Sequence, residues 1–98
     1  MQYDYHIEPM AVVAIRSLYR NVLIKYSNTY SYEDMLRYIN NTIDAVYGIE
    51  KSLLRRKPII NRWQNWHMAH AGNWYYAYSI DGEVITIHDA CHQQNMHD

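Results

Sequence analysis

Apolar and polar positions alternate along residues 2–8, where Tyr3, Tyr5 and Ile7 fall between polar neighbours, the period of a half-buried strand. Pro9 ends that ladder. From Met10 the spacing changes: Ala11, Ile15, Leu18 and Val22 recur every three or four residues while Arg16, Arg20 and Asn21 point elsewhere, which predicts an amphipathic helix over 10–27. The polar run Ser27-Asn28-Thr29-Tyr30-Ser31 breaks it. Ser31 three residues before Asp34 resembles a capping box with Asp in place of Glu, so a second helix is expected to start near Ser31. Met35, Ile39, Val46, Ile49 and Leu53 share one face, with Thr42 inside the stripe and Gly48 as a possible bend, and Pro58 stops the run. With so short a connection, the two helices are expected to pack as an antiparallel hairpin.

After Pro58 the two-residue period returns in three segments, 59–68, 74–80 and 84–90. Ala71-Gly72-Asn73 supplies the first turn. Asp81-Gly82 supplies the second, and it is the stronger hairpin signal because both central residues must tolerate positive φ. Trp74, Tyr76, Tyr78 and Ile80 then share one face of their strand, and Ile85 and Ile87 oppose Val84, Thr86 and His88 in the next. The expected fold class is α+β, in the order β-α-α-β-β-β: an N-terminal strand, an α-helical hairpin, then a three-stranded antiparallel meander, with the helices on one face of a curved sheet. A chain of 98 residues has room for one such core, so 1–98 is read as a single domain.

Composition adds less than the distribution does. Net charge is −1, yet all nine Lys and Arg lie at or before Arg62, with Lys51, Arg55, Arg56, Lys57 and Arg62 in a stretch free of acids. Beyond it stand five of the six histidines and all three tryptophans. Eleven Tyr and no Phe mean that every large ring carries a polar atom needing a partner or water. One cysteine, Cys91, closes no intrachain bridge, and Asp4, Glu8, Arg16 and Arg20 interrupt any secretory h-region, so the cytosol is the expected compartment. The longest apolar run, Met10 to Ile15, is too short to cross a bilayer.

The element order and the closing stretch NWYYAYSIDGEVITIHDACHQQNM resemble the RelE/ParE superfamily of bacterial type II toxins, and the resemblance spans the whole chain. It implies a toxin of a toxin–antitoxin module, inhibited by a cognate antitoxin. It further implies a ribosome-dependent endoribonuclease that cuts messenger RNA by attack of the 2′-hydroxyl on the adjacent phosphate. Such chemistry needs a proton acceptor for the 2′-hydroxyl, a cation at the phosphorane and a proton donor for the leaving 5′ oxygen. His92 matches the C-terminal catalytic histidine of the histidine-using branch, and His67 or His70 is expected to complete the pair. Arg62 is the candidate phosphate clamp, since a guanidinium holds two nonbridging oxygens at once. Trp74 matches a family aromatic at the start of its strand and is a candidate stacking platform, with Tyr75 beside it. Lys51, Arg55, Arg56 and Lys57 are candidates for RNA phosphates, or else favourable charges at the end of the second helix.

Two departures count against the enzyme. Tyr75 stands where the best-known ribonuclease branch has a phosphate-contacting arginine, and Asn73 stands where the histidine branch has an acid. The alternatives are therefore a ParE-like, non-enzymatic inhibitor of DNA gyrase, or a degenerate member without toxicity. No cofactor and no metal are expected: His67-x-x-His70 and His88-x-x-x-His92 have ligand-like spacing, but on strands and a tail they have no reason to converge. Cys91 beside His92 lacks a third member for nucleophilic catalysis. The ribonuclease reading requires the sheet to gather imidazoles from separate stretches beside a guanidinium.

Overall fold

The computed structural model describes residues 3–51, 53, 54 and 60–96. Strand β1 (Asp4–Ile7) leads into helix α1 (Pro9–Lys25), whose first turn accepts Pro9 because the missing N–H is one that a helix start leaves unpaired. Helix α2 (Tyr32–Ala45) opens with the expected capping box: Ser31 Oγ accepts from Asp34 N at 3.1 Å, and Asp34 Oδ2 accepts from Ser31 N at 3.0 Å. The capping contacts and the neighbouring Arg37 guanidinium hold the Asp34 carboxyl below its ordinary pKa. Strands β3 (His67–Ala71), β4 (Trp74–Asp81) and β5 (Val84–His92) form the meander. A two-residue strand, β2 (Leu53–Leu54), adds to its edge, giving the order β1-β5-β4-β3-β2 with β1 parallel to β5 and the other pairs antiparallel.

The second helix is shorter than its apolar stripe predicts. It ends at Ala45, and a 3₁₀ segment, Val46–Lys51, follows, so Leu53 lies in an edge strand rather than on the helical face. Gly48 and the absence of a basic residue in the last turn of α2 both weaken continuation, and the tighter winding still buries Val46 and Ile49. The expected strand over 59–68 is also corrected. Residue 59 lies outside the described residues, and from residue 60 onward the strand begins only at His67, with a 3₁₀ turn over Asn61–Trp63. Ile60, Trp63 and Trp66 are spaced by three, the period of that helix, and bury toward the sheet from one side.

Both helices cover one face. Ala11, Ile15, Met35, Ile39, Val46 and Ile49 pack there against Tyr76, Tyr78, Ile85 and Ile87. Thr42 fits inside this core because its hydroxyl donates to Tyr38 O at 2.8 Å and meets Tyr19 Oη at 3.1 Å, while its carbonyl accepts from Tyr76 Oη at 3.1 Å. The opposite sheet face carries a smaller cluster of Ile60, Trp63, Met68, Ala77 and Cys91. In β5 the register runs Ala77↔Asp89 and then Tyr78↔Ile87, leaving His88 as the extra residue of a β-bulge. The bulge inverts the alternation, so Ala90 and His92 join Trp74 on the helix side while Asp89 and Cys91 turn to the other. No helix among the described residues is long and apolar enough to cross a membrane.

Candidate active site

Strand β1 pairs with β5 only as far as Ile87, so β5 beyond that point has no strand partner on its outer side among the described residues. A cleft of about 270 Å³ opens along this edge. It is lined by Ala14, Leu18 and Asn21 of α1, by Trp74, Ala90, Cys91 and His92 of the sheet, and by Arg62 and Asn95.

Arg62 reaches the cleft because Trp63 next to it is fully buried and bonded. The indole Nε1 donates to Asp89 Oδ2 at 2.8 Å, and Oδ1 of the same carboxylate accepts from Ala90 N at 2.8 Å. Asp89 is 8% exposed, and the Arg62 Nε at 3.5 Å supplies the counter-charge that a buried carboxylate requires. That contact commits one of the five N–H donors of the guanidinium fork. Burial pushes the Cys91 thiol above its ordinary pKa, with the nearby Arg62 charge acting in the opposite direction, so this sulfur is a protonated wall residue at neutral pH.

His92 starts the 3₁₀ turn Gln93–Asn95, and its Nδ1 accepts from Gln94 N at 3.3 Å. The neutral ring therefore carries its proton on Nε2. Gln93 N donates to Asn73 O at 2.8 Å, tying the tail to the β3–β4 turn. The imidazole stands edge-on to Trp74, with ring centroids 5.5 Å apart at 85°.

The structure brings together His92, Arg62 and Trp74 and separates the other candidates, so the expected pairing of His92 with His67 or His70 is not formed and only the imidazole–guanidinium part of the expected constellation is present. Trp74 is 4% exposed and donates from Nε1 to Tyr19 Oη at 3.1 Å, so it is packed in the core, which corrects its reading as a stacking platform. His70, opposite Tyr75 in the register, lies with it on the other sheet face, ring centroids 5.0 Å apart. His67 lies on the helix side at the far end of β3, exposed beside Tyr78 with centroids 5.6 Å apart. Neither of these histidines lines the cleft. Lys51 is exposed at the end of the 3₁₀ segment, and Arg55, Arg56 and Lys57 lie outside the described residues.

Sequence reasoning missed Asp89 and Asn21, one an anchor and one a wall residue, because nothing local marks either. His88, which the sequence marks only by its ligand-like spacing to His92, is the bulged residue: its Nε2 is 2.7 Å from Ser79 Oγ and its ring stacks on Trp66 at 4.6 Å and 6°. Among the described residues, no group of three or more His, Cys, Asp or Glu side chains is placed to hold a metal ion. Comparison of the chain with family models, with curated proteins and with solved structures finds no match.

Proposed function

We propose that this protein is the toxin of a type II toxin–antitoxin module, related to the RelE/ParE superfamily, and that it cleaves messenger RNA on the ribosome in the cytosol. The observation that carries the reading is the shared cleft: one imidazole, His92, and one guanidinium, Arg62, line a hollow that has, among the described residues, no carboxylate to repel a phosphate.

In this reading the RNA 2′ oxygen attacks its adjacent phosphorus, a P–O bond forms, and the bond to the 5′ oxygen breaks to leave a 2′,3′-cyclic phosphate. Arg62 donates to the nonbridging oxygens and offsets the charge that accumulates on the phosphorane. His92 acts as the imidazolium, in which Nδ1 no longer accepts from Gln94 N, and passes its Nε2 proton to the leaving 5′ oxygen, ending as the neutral ring. Among the described residues no second imidazole lines the cleft, so water or the ribosomal complex accepts the 2′ proton. The tail tether from Gln93 to Asn73 keeps His92 at this site rather than trailing into solvent.

A second reading, the ParE-like inhibitor of DNA gyrase, draws on a different observation. Met10, Val13, Ile24, Tyr32 and Leu36 are large apolar side chains exposed on the two helices, a surface suited to a protein partner, whether gyrase or the antitoxin. Expression in cells separates the two. Translation arrest with message ends mapping to the ribosomal A site, abolished by His92→Gln, supports the ribonuclease. Induction of the DNA-damage response with intact messages replaces it with the gyrase reading, and growth without either effect removes both.

A further inference from the structure

The His92 cleft does not end at α1. A second depression, of about 280 Å³, is lined by Leu18, Asn21, Val22, Lys25, Tyr26 and Gln94. The two hollows share Leu18 and Asn21, so they adjoin along α1, one reaching Arg62 and the other Lys25 and Tyr26. From Ala14 to Lys25 the helix rises about 16 Å, a length matched by several nucleotides at the roughly 3.4 Å spacing of a stacked strand.

The chemistry along the groove is consistent from end to end. Arg62 lines one hollow and Lys25 the other, the amides of Asn21, Gln94 and Asn95 line them too, and among the described residues no Asp or Glu lines either. Tyr26, just past the last helical residue, is 50% exposed, and the Lys25 Nζ sits 5.4 Å from its ring centroid. A cation beside a half-exposed aromatic ring along a polar track is an arrangement that single-stranded nucleic acids occupy, with phosphates on the cations and bases on the ring. The amides carry both donors and acceptors for base edges.

We infer that this groove is an RNA-binding subsite for the single-stranded nucleotides flanking the cleaved linkage, with Tyr26 stacking on one base and Lys25 holding a neighbouring phosphate. The inference rests on the ribonuclease reading of His92 and Arg62 and adds a binding track some distance from the reacting atoms. Tyr26 is here a positioning residue. It takes no part in proton transfer.

The test is fluorescence anisotropy of the full chain with an end-labelled single-stranded RNA whose 2′-hydroxyls are replaced by fluorine so that it cannot be cleaved. Titrations run at several salt concentrations, and ribosomal cleavage is followed separately. Tyr26→Ala is expected to weaken binding about 5- to 100-fold while Tyr26→Phe keeps it, since stacking needs the ring and not the hydroxyl. Lys25→Gln is expected to lower the salt dependence by about 0.7 in log–log slope, the loss of one phosphate contact on a single strand. Both positions are exposed, so folding is not at stake. Unchanged binding in Tyr26→Ala and Lys25→Gln, or no binding by the wild-type chain, overturns the groove. Ribosomal cleavage that still depends on His92 would in either case leave the ribonuclease reading standing.

Discussion

The indole nitrogen of Trp63 and the carboxylate of Asp89 are joined by a 2.8 Å hydrogen bond in the interior, between residues 26 apart in sequence. This contact fastens the turn before β3 to the sheet and thereby sets Arg62 over the outer edge of β5. Removing the donor leaves a buried carboxylate with less than it needs. Trp63→Phe is expected to cost about 1–3 kcal/mol, beyond any loss of packing, as measured by urea denaturation. Asp89→Asn, which keeps an acceptor, should cost less while loosening Arg62.

Tyr30 presents the opposite case. Its hydroxyl is buried with no hydrogen-bond partner among the described residues, although its ring stacks on Tyr38 with centroids 5.6 Å apart. Tyr30→Phe keeps the stack and removes the unsatisfied group, so it should raise stability by about 1 kcal/mol. A lower melting temperature for the variant would contradict this.

Alkaline pH should loosen the fold through its tyrosines. Burial, followed by a hydrogen bond donated to Glu50, pushes Tyr5 from 10.0 up to about 12, and burial also drives Tyr76 upward. A folded-state pKa above the unfolded one favours the protonated ring in the fold. The associated stability is therefore fully present below pH 10 and is lost as pH rises from 10.0 toward 12. Denaturation midpoints measured across that window should fall, and they should fall less steeply in Tyr5→Phe.

The β4–β5 turn depends on Gly82 at φ 63°, where an added Cβ meets open space, so any penalty lies in the backbone alone. Gly82→Ala should cost roughly 1–2 kcal/mol, and Gly82→Asn less, because Asn tolerates the left-handed region better. Equal denaturation midpoints for the two variants would contradict that account.

Local chemistry was legible in the sequence where local physics decided the outcome. The Ser31–Asp34 capping box, the Asp81-Gly82 turn, the Pro9 helix start and the burial of Tyr76, Tyr78, Ile85 and Ile87 on one face all follow from nearest-neighbour rules. The end of α2 did not follow. Val46 and Ile49 satisfy a helical stripe and a 3₁₀ segment equally well, since both bury them. The turn before β3 was misread because Ile60, Trp63 and Trp66 carry a period of three within a run that also alternates. For the site, the decisive feature is the bulge at His88. Unbroken alternation puts His92 on the same side as Thr86 and away from Trp74, and one extra residue reverses this. Bulges carry no signature in a single sequence, so the pairing of His92 with Arg62, and its separation from His70, became visible only in three dimensions.

The account turns on His92 and Arg62 acting at one phosphodiester. The most direct measurement is the rate at which the purified protein cleaves messenger RNA on programmed ribosomes, compared among wild type, His92→Gln, Arg62→Ala, His67→Ala and His70→Ala. Loss of the imidazole is expected to slow cleavage about 100-fold or more, with a comparable loss for Arg62→Ala, while the two histidine variants outside the cleft cleave at wild-type rates. Wild-type cleavage by His92→Gln, or its loss in His70→Ala instead, would contradict the account.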